Sequence, residues 1–225
     1  MFLPGFVKAQ VVDIRSARAT LPKSVVADAN ILYFIHYDFT SLSSAGARSP
    51  AHYQTSEYPR WWRRAISGGV LISTASTCLA EFIHIVERTE LEILWRTDPD
   101  QPELDPSQPG QAYSNKYAKA VRYLYAGQLQ IIRSEVETAL QSVRKTVELL
   151  PQVGKDADVF AASVKEWLPA TCDFGDSALV SAAKHAGIPR IISDDADLIS
   201  CDGITVYTAN RNAIDAARLA SKLIV

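Results

Sequence analysis

A chain of 225 residues, 48% apolar and 21% charged, can bury a substantial core beneath a solvated surface, and its composition excludes collagenous, disordered and membrane-spanning classes. The formal net charge of −2 excludes a protein that grips nucleic acid over a long basic face, so any nucleic-acid site has to be local. The three cysteines, Cys78, Cys172 and Cys201, show no CxxC or Cys/His spacing, which argues against a disulfide framework or a structural zinc and reads them as small buried residues.

In chain order, Ser24 to Ala27 is a β-branched run ending at Asp28, and Asn30 to Tyr37 continues as an apolar segment of helical length. Val70 to Ser73 repeats the pattern after Gly68 and Gly69, with Ser76 or Thr77 as the expected cap of a helix from about Cys78 to Trp95. Residues 97 to 110 are rich in Pro and acid and read as a surface loop. Ala112 to Leu150 then reads as one or two helices, with Gly127 as the break and Pro151 as the stop.

The last third is the most regular. A helix from about Asp176 to His185 closes at Gly187, the strand Arg190 to Ser193 follows, and a turn at Asp194 to Leu198 leads to the strand Ile204 to Tyr207. Arg211 to Leu223 reads as a final helix. Strands alternating with helices predict an α/β fold with a mostly parallel sheet covered on both faces. We expect one domain over 1–225, with insertions at about 40–67 and 97–170. The apolar runs are far shorter than the roughly 20 residues that span a bilayer, and no basic-then-apolar leader opens the chain, so the expected location is the cytoplasm, with no membrane partner.

In an open parallel sheet, ligands bind along the edge where strands end and helices begin. Asp28 and Asp195 fall at that edge, Asp176 heads a helix beside it, and Glu81 lies in the first turns of another. Like charges brought that close cannot all stay ionised without a cation, and oxygen-only ligands suit Mg²⁺ or Mn²⁺. Taken singly, Asp28, Asp176 and Asp194 each read first as helix caps, and Glu81 as a solvated helix residue. The chemical argument rests on their joint placement.

The segments VVADANILYFI, STASTCLAEFIHIVER and CDFGDSALVSAAKHAGIPRIISDDADLI resemble the three motif regions of the PIN-domain family of metal-dependent nucleases. The resemblance covers about a third of the chain in the right order, and implies a parallel sheet flanked by helices, a Mg²⁺ or Mn²⁺ site and hydrolysis of RNA. It matches Asp28, Glu81, Asp176 and Asp195 to the family's acidic positions and Asn30 to the polar residue two after the first Asp. Asp197 is a second choice for the fourth ligand, and Asp173 and Asp194 are accessory carboxylates. Many members of that family are toxins of toxin–antitoxin operons, which implies an antitoxin-like protein partner and a homodimer. Against the compact toxin pattern this chain has extra residues before the strand at Ser24 and the two insertions.

Further sequence features bear on substrate. Arg60, Arg63 and Arg64 flank Trp61 and Trp62, a set that can hold phosphates and stack bases or, equally, a core pair with solvated arginines. If Ala112 to Leu150 is one helix, Lys119, Arg122, Arg133 and Arg144 share a stripe. His84, one turn after Glu81, reads as a packed or solvated helix residue. Two alternatives stand beside the nuclease: a catalytically inactive PIN-like module that binds RNA or protein, and a haloacid-dehalogenase-type phosphohydrolase. The latter needs a second Asp where this chain has Asn30.

Overall fold

Apolar runs of a few residues do not form isolated strands; each becomes stable here by pairing within one sheet that helices cover on both faces. The computed structural model describes residues 6–47, 49–104, 113–151 and 156–224. Its strands are β1 (Gln10–Asp13), β2 (Ser24–Ala27), β3 (Leu71–Thr74), β4 (Glu148–Leu149), β5 (Arg190–Ile192), β6 (Thr205–Thr208) and β7 (Leu223–Ile224). They form one seven-stranded sheet in the order β4-β3-β2-β5-β6-β1-β7. Every pairing is parallel. The chain is thus an α/β protein, as the alternation of elements predicts.

The helices are α1 (Ala29–His36), α2 (Thr40–Ser44), α3 (His52–Ser67), α4 (Ser76–Thr97), α5 (Ala118–Leu124), α6 (Leu129–Arg144), α7 (Asp156–Trp167), α8 (Phe174–His185) and α9 (Arg211–Leu219). Alternate strand residues divide between two cores, as the two-residue period of a strand requires. Val25, Ala27, Ile72 and Ile192 pack with Ile31 and Leu32 of α1, Trp61 of α3 and Phe82 of α4. Val26, Ile191 and Val206 face the other way, against Leu179, Val180 and Ala183 of α8. A further cluster joins Val11 to Ala213 and Ile214 of α9.

Several elements differ from the sequence reading. The residues before Ser24 contain β1, whose partners β6 and β7 lie near the other end of the chain. The segment 40–67 is largely helix, and Tyr58, Trp61, Trp62 and Ala65 are its buried face. The expected cap at Ser76 or Thr77 is replaced by Ala75, which enters α4 in an extended conformation with no side-chain bond. Residues 118–144 form two helices that break at Tyr125 to Gln128, where Gly127 marks the join. The segment then ends as β4 on the sheet edge, so Pro151 follows a strand instead of stopping a helix. The last helix stops at Leu219; Ser221 takes a left-handed turn (φ 57°) and β7 returns beside β1. Residues 98–104 of the acidic, Pro-rich loop are neither helix nor strand, and the rest of that loop, with Ala112, lies outside the described residues.

Cys78, Cys172 and Cys201 are all buried free thiols, with the Cys172 and Cys201 sulfurs 3.3 Å apart. Among the described residues, no helix is long and apolar enough to cross a membrane.

Trp61 is fully buried, and its ring packs against Tyr207 at a centroid distance of 5.9 Å. Trp61→Ala should therefore cost about 3–5 kcal/mol of stability, read from the midpoint of urea unfolding. A surface base-stacking tryptophan would leave that midpoint where it was.

Candidate active site

The chain runs outward from β2 to β3 and β4, then returns to lay β5 on the opposite side of β2. Strand order therefore reverses between β2 and β5, and at such a switch point the helices leave the sheet in different directions and open a crevice at the strand ends. Asp28 follows β2 and Ser193 follows β5 at this crevice. The Asp28 amide still donates to the Ile192 carbonyl at 3.1 Å, so the first carboxylate is anchored by the sheet itself.

Asp28 is buried, and polar donors surround its carboxylate. Oδ1 accepts the Ala29 amide at 2.6 Å; Oδ2 accepts the Ser193 hydroxyl at 2.6 Å and the Asn30 amide at 2.8 Å. Asp28 is therefore the cap of α1, as a single strand-to-helix aspartate would be, and also a carboxylate directed into the crevice. Ser193 extends the network: its oxygen accepts the Asp195 amide at 2.9 Å, so one hydroxyl couples Asp28 to the following turn. Asn30 closes the loop by accepting the Asp194 amide at 3.3 Å.

The other carboxylates arrive on helix starts. Asp173 caps α8 by accepting the Asp176 amide at 2.9 Å, which corrects the expectation that Asp176 is the cap. Asp176 stands in the first turn of α8, and Glu81 in the second turn of α4. Between them lies a pocket of about 120 Å³ whose lining includes Asp28, Glu81, Asp173, Asp176 and Asp195. Asn30, Thr77, Cys78, Gly175 and Leu179 complete it, and no Lys, Arg or His lines it among the described residues. A Cβ at Gly175 would meet Asp173 Oδ1 at 3.2 Å, so a larger residue in that wall would press on the α8 cap.

Crowding shows in the acid–base behaviour. Burial, then the charges of Asp195, Asp28 and Asp173, push the Asp176 carboxyl up to about 8. Burial pushes Asp28 up to about 6 against the opposing pull of Ser193 and the Ala29 amide, with Glu81 and Asp195 adding repulsion. Glu81 rises for the same reasons, burial first and then Asp173, with Arg88 pulling the other way. The positive ends of α1, α4 and α8 meet at this pocket and offset part of the repulsion.

Two expected members stand apart. The Asp194 carboxylate turns toward α3, where it accepts bonds from Tyr58 at 2.7 Å, Tyr53 at 3.1 Å and the Gln54 amide. It ties α3 to the end of β5 and does not line the pocket. Asp197 is exposed; its amide donates to Asp195 Oδ1 at 2.8 Å, so of the two alternatives Asp195 is the one that lines the pocket. The arginines of the Arg-Trp-Trp-Arg-Arg run do not line it either. Arg60 pairs with Glu57 and donates to the Arg15 carbonyl, and the tryptophans between the arginines are core residues with no free face for a base. Ser193 was missed by the sequence reading, although a serine opening the Ser-Asp-Asp-Ala-Asp turn was its signal.

The carboxylate donors of the pocket are all oxygen and strongly anionic, which suits a hard divalent cation, and Cys78 adds a buried thiol 3.9 Å from Asp28 Oδ1. Among the described residues, no group of three or more His, Cys, Asp or Glu side chains is drawn together as a ready-made metal cage.

Comparison with protein-family models, with curated proteins and with solved structures finds no match to this chain.

The raised carboxyls make stability depend on pH in a definite sense. A carboxyl whose pKa is raised by folding leaves stability greatest below its unfolded value of about 4 and erodes it as pH rises to the folded value. With chelator present, the melting temperature should fall between the unfolded carboxyl range and the values of about 6 for Asp28 and about 8 for Asp176. Asp176→Asn should flatten the upper part of that fall. Circular dichroism melts across the range provide the check; a fall of the same size in the variant would place its origin elsewhere.

Proposed function

We propose that this chain is a Mg²⁺- or Mn²⁺-dependent ribonuclease that hydrolyses RNA phosphodiesters at the pocket of Asp28, Glu81, Asp176 and Asp195. One observation carries the reading: five carboxylates and no cationic side chain, among the described residues, line one small pocket at the switch point of a parallel sheet. Such a set is costly to assemble, and capping, which accounts for Asp28 and Asp173, gives no reason to add Glu81, Asp176 and Asp195 beside them. The resemblance of the three segments around these residues to PIN-domain motifs points the same way.

The residues divide the work by position. Asp28 is held by Ser193, Asn30 and the α1 amide, so it offers a fixed oxygen to an ion. Asp195 is joined to it through Ser193, while Asp176 and Glu81 approach from α8 and α4. Asp173 adds charge at the rim and holds the first turn of α8 in place. Without a cation, Asp176 keeps a proton near neutral pH, so cation binding and proton release are coupled there. A divalent ion held by these carboxylates would supply an activated water and a counter-charge for the phosphate.

The haloacid-dehalogenase alternative fits less well. Asn30 donates its amide to Asp28 Oδ2, and an amide in that place cannot act as the general acid that chemistry requires. A second reading, a non-catalytic module that binds RNA or protein, is favoured by the absence of a preformed three-ligand cage among the described residues. An antitoxin-like partner and a homodimer follow from the family resemblance alone, and a cytoplasmic setting from the short apolar runs of the sequence.

Asp28→Asn separates these readings. Asn keeps the cap to Ala29, and relief of one crowded charge offsets the acceptor lost to Ser193 and Asn30, so the fold should survive, while the loss of one anionic ligand should abolish metal-dependent RNA cleavage. Mg²⁺ or Mn²⁺ should raise the melting temperature of the unaltered chain more than that of the variant, since binding to the folded state alone stabilises it. Cleavage of labelled RNA and thermal unfolding, each with metal and with chelator, measure both effects. Undiminished metal-dependent cleavage by the variant would sink the mechanism.

A further inference from the structure

Beside the acidic pocket lies an open groove of about 740 Å³ between α4 and the start of α5. The two share Thr77 and Glu81, so the groove leads directly to the carboxylates. From α4 its wall carries Thr77, Glu81, His84 and Arg88, which follow helical spacing along one face. The opposite wall presents Lys116, Lys119 and Arg122. Lys119 and Arg122 belong to the stripe expected from sequence, but the break after Leu124 confines that stripe to α5, and Arg133 and Arg144 on α6 do not line the groove.

The fold uses up one of these cations and leaves the others. Arg122 is committed to Glu87 through bonds of 2.8 and 3.1 Å, which brace α5 against α4. Arg88 donates to the His84 carbonyl at 3.2 Å and acts on Glu81 electrostatically. Lys116 and Lys119 are exposed; Lys116 lies 4.6 Å from the Tyr117 ring centroid, and among the described residues neither lysine forms an ion pair. A chain of net charge −2 has thus concentrated cations along one wall of the groove that opens onto its acidic pocket.

We infer that the α4–α5 groove is the track for the sugar–phosphate backbone of a single RNA strand, with Arg88, Lys116 and Lys119 holding phosphates as the strand enters at Glu81. This rests on the nuclease reading for its orientation toward the pocket. A polyanion approaching five carboxylates is repelled unless cations accompany it, and these are the cations that line the adjoining groove. The pocket is only about 120 Å³ and Asp28 is 6% exposed, so a flexible single strand can reach it where a paired helix cannot follow.

The test measures binding apart from cleavage. A short fluorescein-labelled single-stranded RNA is titrated with the full chain in chelator across a salt series, and the same is done with Lys116→Glu/Lys119→Glu. We expect the unaltered chain to bind with affinity that falls as salt rises. The double variant should bind on the order of 10-fold more weakly or worse, with the log–log salt slope reduced by about 1.4, for two phosphates at about 0.7 each on a single strand. Its melting temperature should match that of the unaltered chain. Equal affinity and slope for the two proteins would overturn the assignment, as would equal competition by polyglutamate or tighter binding of a blunt RNA duplex. Cleavage with Mn²⁺, measured in parallel, keeps the two ideas apart. Cleavage that survives the lysine changes undiminished, with binding unchanged, leaves the nuclease and removes the groove. Lysine-dependent binding by an unaltered chain that never cleaves leaves the groove and removes the nuclease.

Discussion

The mutual repulsion of carboxylates gathered at the β2–β5 switch point is the constraint around which this structure is arranged. Burial and like charge push Asp28 and Asp176 well above the ordinary carboxylate range, so folding has to hold these groups together against their own electrostatics. The countermeasures are neutral. They are the Ser193 hydroxyl, the Asn30 side-chain amide, the Ala29 and Asp176 backbone amides and three helix starts; no cationic side chain lines the pocket among the described residues. A lysine or arginine would neutralise the site more completely and would also occupy it. Partial neutralisation by dipoles keeps the charges available to something that binds from outside.

The surrounding packing serves this arrangement. Asp194, next to the pocket residue Asp195, faces α3 and accepts bonds from Tyr53, Tyr58 and Gln54. Tyr58 is itself buried, its oxygen accepts the Ala209 amide at 3.1 Å, and it thereby links α3 to the end of β6. Adjacent aspartates thus do opposite jobs. One fixes the turn to the core and the other faces the site, so the turn cannot slide without breaking the bonds from α3. On the other side of the sheet, α8 packs against Val26 and Ile191 through Leu179 and Val180, which sets where Asp176 stands.

Much of this was legible in the sequence where local signals and tertiary demands agree. The run Ser24 to Ala27 followed by Asp28 shows strand, cap and helix in a few residues, and the stretch from α8 to β5 shows a helix, a glycine stop and a strand. What escaped depends on distant partners. β4 and β7 are two-residue strands that exist because β3 and β1 offer them an edge, and no local pattern marks Glu148–Leu149 or Leu223–Ile224. The helix α3 did carry a signal. Tyr58, Trp61, Trp62 and Ala65 follow the i, i+3, i+4, i+7 rule, but Pro59 and the surrounding arginines left core packing and base stacking equally open for the tryptophans. Asp195 was matched to the site by resemblance to a motif, whereas the role of its neighbour Asp194, which ties the turn to α3, depends on how α3 packs and had no local signal.

The helix α4 joins the two electrostatic halves of the molecule. Its first turns place Cys78 and Glu81 in the acidic pocket, and its next turns place His84 and Arg88 in the basic groove. A helix rises about 1.5 Å per residue, so the step from Glu81 to Arg88 is about 10 Å, on the scale of the Debye length at physiological salt. Charges at that separation still influence one another, and Arg88 does draw the Glu81 carboxyl down against its burial. The insertion after α4 builds the far wall from the 3₁₀ turn Asn115–Tyr117 and α5, braced by the Arg122–Glu87 pair. Leu91 and Trp95 of α4 pack with Val121 and Tyr125 beneath that wall, so the lysines stand on a packed base. The chain thereby sets cations next to anions: α4 fixes Glu81 and Arg88 on one axis, and Lys116 and Lys119 stand across the groove on the 3₁₀ turn and α5. Cations along the groove and carboxylates at its end stand side by side, as the proposed path of a strand toward the pocket requires.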